Sequence, residues 1–250
     1  MVCERKFVPP TALFRPQRLL PFASFLSVVR RLAVEEILMQ LIGMLDPPYG
    51  RRVALAMIVA KTPFIHRPIS LFRHIDPFSK LNPLLKAPTL ITDDGAALMD
   101  SNVILDYLAS VDLRIAALTP SNLPQRLSAL RAMGLALTVM EKAVQRQYER
   151  MLRPAEKQHE PWVDRVMGQL IAGLSALDAE LPGSGWIGGD LGLADITAAC
   201  AFGFTHALLA DVVETGRYPN LGAFCGRAEA LPAFRAAPPE DGATASAIAD

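Results

Sequence analysis

The sequence predicts an α/β domain on a mixed four-stranded sheet, followed by an all-helical domain. Three observations predict it. Short apolar runs of strand length alternate with helical runs between Met39 and about Leu113. Asp93-Asp94-Gly95 joins two of those runs as a hairpin, so part of the sheet is antiparallel. Beyond Pro124 the apolar residues recur at spacings of three and four, the helical period.

Residues 40–44, Gln-Leu-Ile-Gly-Met, form a short, apolar, turn-bounded run and read as a buried strand. Pro47-Pro48 stands before a helical run over 49–61. Proline suits a first helical turn, where its missing N–H has no partner in any case. Pro63 stops that helix, and residues 64–71 read as a second strand, with Pro68 marking an edge or a bend. A short helix over 73–81 is irregular at Pro77. Strands at 89–92 and 97–99 flank the Asp-Gly turn. Ser101 is placed to cap a helix over 102–111, whose Val103, Ile104, Tyr107 and Leu108 make an apolar stripe. This first domain covers 39–113, and residues 114–123 read as a linker.

The helical domain covers 124–235. Leu127, Leu130, Met133, Leu137, Met140, Val144, Tyr148 and Met151 mark one face of a long helix that ends at Pro154. A second helix runs over 161–180 on Trp162, Val166, Leu170, Leu174 and Leu177. A third starts near Leu193, and a last one covers 221–230. Residues 236–250 are rich in Ala, Pro and Ser and read as a disordered tail.

Residues 1–38 have a different character and read as an extension outside the fold. Six basic residues face three acidic ones, and four prolines fall within the first 21 residues. No small-residue cleavage site follows the apolar stretch at 19–29, so a signal peptide is a poor fit; a transit peptide is the targeting alternative. The preferred reading makes Met39 the true start. Val34-Glu35-Glu36 can be encoded as a purine-rich ribosome-binding stretch, on the assumption of a bacterial source.

Composition excludes several classes. Across 250 residues the formal net charge is zero, which disfavours nucleic acid as a partner. Hydrophobic residues at 51% suffice for a sizeable core. Cys3, Cys200 and Cys225 lie far apart, with no metal-ligand spacing to the histidines, so no metal site is expected and a reducing cytoplasm is the default. No apolar run reaches the roughly 18–20 residues that span a bilayer.

One stretch carries more information than the rest. Asn82-Pro83 leads to Ala87-Pro88, then the hairpin, then Asp100-Ser101 opening a helix with Ile104 and Tyr107-Leu108. This pattern resembles the N-terminal domain of glutathione S-transferases, and the resemblance extends from Met39 to about Arg235. It implies a thioredoxin-like N-terminal domain followed by an all-helical C-terminal domain. It also implies glutathione as co-substrate, a small electrophile as the second substrate, and a homodimer. The electrophile is expected between the two domains, beside the long helix at 140–153.

The resemblance assigns roles residue by residue. Pro88 is expected to be cis, which turns the backbone of Ala87 towards the pocket to pair with the cysteinyl part of glutathione like an added strand. Ser101 would hold the γ-glutamyl carboxylate at a helix N-terminus, where N–H groups and the helix dipole favour anions. Asp100 would meet the γ-glutamyl ammonium, and Lys86 the glycyl carboxylate. The plain alternative for Ser101 is an ordinary helix cap. In the second domain the family places Ser or Thr three residues before the aspartate that matches Asp195. Here Gly192 stands there, leaving Asp195 to cap the helix alone, with Leu191 and Ile196 as a hydrophobic staple.

The sequence departs from the pattern where chemistry is expected. The thiolate is the nucleophile of this family. Related enzymes place Ser-Pro-Tyr at the first helix, with the serine beside the sulfur; this chain reads Pro47-Pro48-Tyr49. Proline offers neither hydroxyl nor N–H. Tyr49 is the nearest hydroxyl and the candidate catalytic residue; Arg51, Arg52 and the helix N-terminus are the other sources of stabilisation, while Asp46 opposes a thiolate. Two functions therefore stand: a glutathione-dependent enzyme, or a non-catalytic glutathione-binding or protein-interaction module on the same fold.

Overall fold

The computed structural model describes residues 38–240, apart from 211, 212 and 214, together with 242 and 244. The expected extension lies outside the described residues except for Leu38. The chain forms β1 (Gln40–Ile42), α1 (Pro48–Val59), β2 (Ile65–Arg67), α2 (Ile75–Leu81), β3 (Thr89–Ile91), β4 (Ala97–Leu98) and α3 (Ser101–Val111). A short helix α4 (Leu113–Ala116) occupies part of the stretch read as a linker. The helical domain follows as α5 (Leu123–Leu152), α6 (Glu160–Glu180), α7 (Leu193–Leu208), α8 (Pro219–Glu229) and α9 (Pro232–Arg235).

The four strands lie in the order β2-β1-β3-β4. β1 pairs parallel to β2, with Leu41 opposite His66, and antiparallel to β3, with Leu41 opposite Leu90. This is the mixed sheet of a thioredoxin-like domain. β2 is an edge strand, as Pro68 at its end requires. Pro77 fits within the first turn of α2, where it has no intrahelical bond to break.

Helix α1 is buried almost all round. Pro48 and every residue from Gly50 to Met57 are buried, two arginines included. One apolar cluster runs through both domains, from Leu41, Leu55, Leu90 and Ile104 to Ala136, Cys200, Phe224 and Phe234. α1 is thus the seam on which the sheet and the helical domain meet.

Three expectations are corrected. The long helix buries only part of its expected stripe: Met140 is fully buried, but Leu127 is 66% exposed and Met151 54%. Its core face is Ala129, Ala132, Ala136, Val139, Met140 and Ala143, because small side chains let α5 pack closely on α6 and α7. In α6, Trp162 is 40% exposed and Val163 takes the buried place. Residues 236–240 are no free tail, since Ala237 is fully buried and its carbonyl accepts from Arg51 Nε at 2.8 Å.

At the start of α7, Asp195 accepts from the backbone N–H of Gly192 and of Ile187, both at 2.8 Å. A Cβ at Gly192 would lie 2.6 Å from the carbonyl oxygen of Leu118. The same carbonyl accepts from Leu193 N at 2.8 Å. That close approach excludes the serine or threonine of the related pattern.

Candidate functional site

The site lies at the end of the sheet where β1 feeds α1 and the hairpin feeds α3. Gly43 follows β1 at φ +136°, and a Cβ there would sit 3.2 Å from Ala87 Cβ. Only glycine takes that backbone conformation readily and lets the two loops approach. Gly50 is required in the same way, because its Cβ would fall 2.5 Å from the Met44 carbonyl oxygen. The Ala87–Pro88 bond is cis. Asn82 fastens this loop: its Nδ2 donates to Thr89 Oγ1 at 2.9 Å and to the Lys86 carbonyl at 3.3 Å.

All six residues singled out from the sequence line one cavity of about 600 Å³: Tyr49, Lys86, Ala87, Pro88, Asp100 and Ser101. The opposite wall is α5, with Leu137, Glu141, Val144 and Tyr148. Lys86 is exposed at the rim, Ala87 and Tyr49 are half-buried, and Pro88 and Ser101 are buried.

Ser101 is not the helix cap. Asp100 is, with Oδ1 accepting from Asn102 N at 2.9 Å. Ser101 occupies the first helical position and its hydroxyl oxygen accepts from Arg52 Nη1 at 3.1 Å. An oxygen that accepts on one side keeps its own proton for a partner on the other.

Sequence reading offers Arg52 as a source of charge for the thiolate and expects it in water; in the structure it is buried behind Ser101 instead. It is 1% exposed, and its bonded partners are uncharged: Ser101 Oγ, Asn102 Oδ1 at 2.7 Å, Thr197 Oγ1 at 3.2 Å and the sulfur of Met133. Burial pulls its pKa down to about 10, and Cys200, Asp100 and Tyr49 oppose the drop. It therefore stays a cation, directly behind the Ser101 hydroxyl. Its neighbour Arg51, also buried, turns the other way and makes a bidentate pair with Glu229 at 2.6 and 2.8 Å.

At the entrance of α1, Pro47 is the capping residue and contributes no side-chain bond. The first-turn N–H groups beyond Pro48 have no intrahelical partner and face the dipole's positive end. Burial pushes the Tyr49 phenol up to about 12, and the negative field of Glu141 adds to the rise. Tyr49 is a neutral O–H donor at physiological pH. Burial also raises the Asp46 carboxyl, against its own backbone bond and Arg73.

A second cavity of about 880 Å³ shares Asp46, Pro47, Phe72, Val144 and Tyr148 with the first. It continues between the domains, past Gln147 and Met151 of α5, Phe204 and Leu208 of α7, and Phe234 of α9. This is where the second substrate was expected. Phe72 and Tyr148 meet edge to face at 6.2 Å on the shared wall.

Known proteins share this fold. The family model described as glutathione S-transferase, N-terminal domain, matches residues 41–111, and that described as glutathione S-transferase, C-terminal domain, matches 160–227. A glutathione S-transferase of Methylobacterium radiotolerans, solved with glutathione sulfonate, is 26% identical with a TM-score of 0.73; the match covers 80% of this chain and 93% of that one. A Methylobacillus flagellatus glutathione S-transferase solved with glutathione is 27% identical, with a TM-score of 0.71, over 79% of this chain and 97% of that one. The maleylacetoacetate isomerase of Pseudomonas aeruginosa is 28% identical over 75% of this chain and 90% of its own length.

Proposed function

The chain belongs to the glutathione S-transferase family, and from that premise we propose that it binds glutathione in the smaller cavity and directs its sulfur at a small electrophile in the larger one. One observation carries the reading: the Ser101 hydroxyl, freed from capping by Asp100 and backed by the buried cation of Arg52, faces the same cavity as the Ala87-Pro88 backbone. An anion receptor and a strand-pairing edge in one cavity suit a tripeptide with a free carboxylate at each end.

Each residue then has a task. Ser101 donates to the γ-glutamyl carboxylate, and the α3 N-terminus adds its dipole. Asp100, whose second oxygen is left by the cap, meets the γ-glutamyl ammonium. The Ala87 backbone pairs with the cysteinyl unit, and Lys86 at the rim meets the glycyl carboxylate. The sulfur then lies towards Asp46-Pro47 and the wall that both cavities share. Tyr49 keeps its proton and donates a hydrogen bond to the thiolate, and the α1 N-terminus favours the negative charge. The thiolate attacks an electrophilic atom of a substrate held against Phe72 and Tyr148. Conjugation, isomerisation and reduction all begin with that sulfur.

A second reading has its own observation. Pro47 brings neither hydroxyl nor N–H to the sulfur, which suits a glutathione-binding module without turnover. Leu123, Leu127 and Leu130 stand exposed on α5, an apolar strip that suits a homodimer contact. We place the protein in the cytoplasm, with a role in detoxification as the family reading suggests.

Calorimetric titration with glutathione tests the reading through Ser101→Ala. Removing a hydrogen bond to a charged group costs about 1.5–3 kcal/mol, a roughly 10- to 150-fold rise in Kd. Asp100 remains the cap, so any loss of stability comes from the acceptor that Arg52 Nη1 loses, about 1–3 kcal/mol at most because Asn102 Oδ1 still accepts from the same nitrogen. Unchanged affinity would exclude Ser101 as the carboxylate receptor. Turnover of a general aromatic electrophile then separates enzyme from binding module.

A further inference from the structure

The larger cavity has aromatic walls: Phe72, Tyr148, Phe204 and Phe234 line it, so a flat apolar group packs well there. Its charged groups are few and unevenly matched. Three acids line it (Asp46, Glu229 and Glu240) against two bases, Arg51 and Arg235. Arg235 and Glu240 are both exposed.

Among the described lining residues, Arg51 is the buried cation. Its guanidinium is matched by both oxygens of Glu229, at 2.6 and 2.8 Å, while Nε ends on the Ala237 carbonyl at 2.8 Å. Phe234 stacks beneath it, with the guanidinium 5.6 Å from the ring centroid. An anionic ligand entering this cavity sheds water and finds that cation already neutralised, with Asp46 close to the sulfur's expected place. An uncharged ligand incurs no such cost, and a cationic one, which also sheds water, is met by the carboxylates of Asp46 and Glu240 that outnumber the remaining base, Arg235.

Resting on the glutathione reading, we infer that this cavity selects an uncharged or cationic aromatic co-substrate and rejects anionic ones, and that Glu229 sets the preference by cancelling Arg51. Glu240, from the segment after α9, adds to it at the mouth. Both residues stand in the last part of the chain, so selectivity here is written by α8 and the segment that follows α9.

Product analogues test this without any turnover. Three S-benzylglutathiones carrying para-trimethylammonium, para-nitro or para-carboxylate groups share one glutathione anchor and differ only in the charge placed in the larger cavity. Calorimetry on the full chain should rank carboxylate weakest by about fivefold or more, the ratio one charge makes in a wet site. Glu229→Gln, which keeps an acceptor for Arg51, should close that gap. Glu240→Gln, at an exposed position where folding is not at stake, should narrow it. A carboxylate analogue that binds as tightly as the ammonium one overturns the inference, and so does a gap that neither substitution changes. If neither glutathione nor any analogue binds, the glutathione reading itself falls and takes this inference with it. If glutathione binds and only the ranking fails, the reading stands and the inference alone is lost.

Discussion

Replacing Arg52 by methionine should separate binding from stability. Arg52 Nη1 lies 3.1 Å from Ser101 Oγ. A carboxylate accepting from that hydroxyl lies about 2.7 Å further on, so guanidinium and carboxylate would be about 5.5 Å apart. At an effective dielectric of about 20 their attraction is about 3 kcal/mol, or roughly a hundredfold in Kd. The stability side is different. Burying a cation without a carboxylate costs several kcal/mol. Its bonds to uncharged acceptors return about 1.5–3 kcal/mol each at best. A methionine of similar length beside Met133 should therefore leave the melting temperature close to that of the wild type. Glutathione titration and thermal melting of R52M are the two measurements. The control ligand is 4-aminobutanoyl-cysteinyl-glycine, which lacks only the γ-glutamyl carboxylate. R52M should lose affinity for glutathione and bind the control as the parent does. Equal losses for both ligands, or a lower melting temperature with glutathione affinity unchanged, would refute the electrostatic argument and make Arg52 a packing residue.

Pro47→Ser should lower the pKa of the bound thiol and raise turnover of a general electrophile, since a hydroxyl donor stabilises the thiolate; thiolate absorbance against pH reads the first. If neither moves in a variant that binds glutathione, Tyr49 or the helix terminus already does the work. Gly192→Ser restores the cap of the related pattern yet should destabilise by about 1–3 kcal/mol, because its Cβ meets the Leu118 carbonyl; chemical denaturation checks the sign, and a stabilised variant would show that this contact yields. His66 Nε2 donates to the Gly43 carbonyl at 2.8 Å while Nδ1 accepts from Thr244 N at 3.0 Å. Burial holds its pKa below the usual 6.5, so its contribution to stability is present above that pH and lost as pH falls towards the folded value. The loss between pH 7 and 5 should be smaller in His66→Gln; equal slopes would exclude the histidine.

Much of the fold was legible because turn chemistry is local. Pro63, Asp93-Asp94-Gly95 and Pro154 punctuate the chain where its elements end. The cavity was legible for a related reason, since Ala87-Pro88 and Asp100-Ser101 sit close together in sequence on either side of one hairpin. The arginines were not legible. Charged side chains on a helix are expected in water, and what buries Arg51 is Glu229, 178 residues away. Arg52 likewise needs Thr197, at a separation of 145. The long helix misled for a different cause. Hydrophobicity ranks leucine and methionine above alanine, yet close packing on two helices selects the alanine face and leaves the larger residues to the cavities and solvent.

Arg51 and Arg52 are adjacent in sequence but are bound to different helices of the second domain, one to α8 and the segment after α9, the other to α7. Both reach from a single turn of α1 into the second domain, Arg51 through an ion pair and Arg52 through uncharged acceptors that fix its place more than they stabilise it. The turn that carries them also opens the sulfur's expected place, so the glutathione-facing domain cannot swing away without drawing two guanidinium groups out of their seats. Melting should then be one cooperative event for both domains. The N-terminal domain cut out alone would expose two stranded charges together with the apolar face of α1, and so would not stand as an independent folding unit. Motions that admit a substrate must come from the periphery, from side chains such as Phe72 and from the segment carrying Glu240, rather than from the seam.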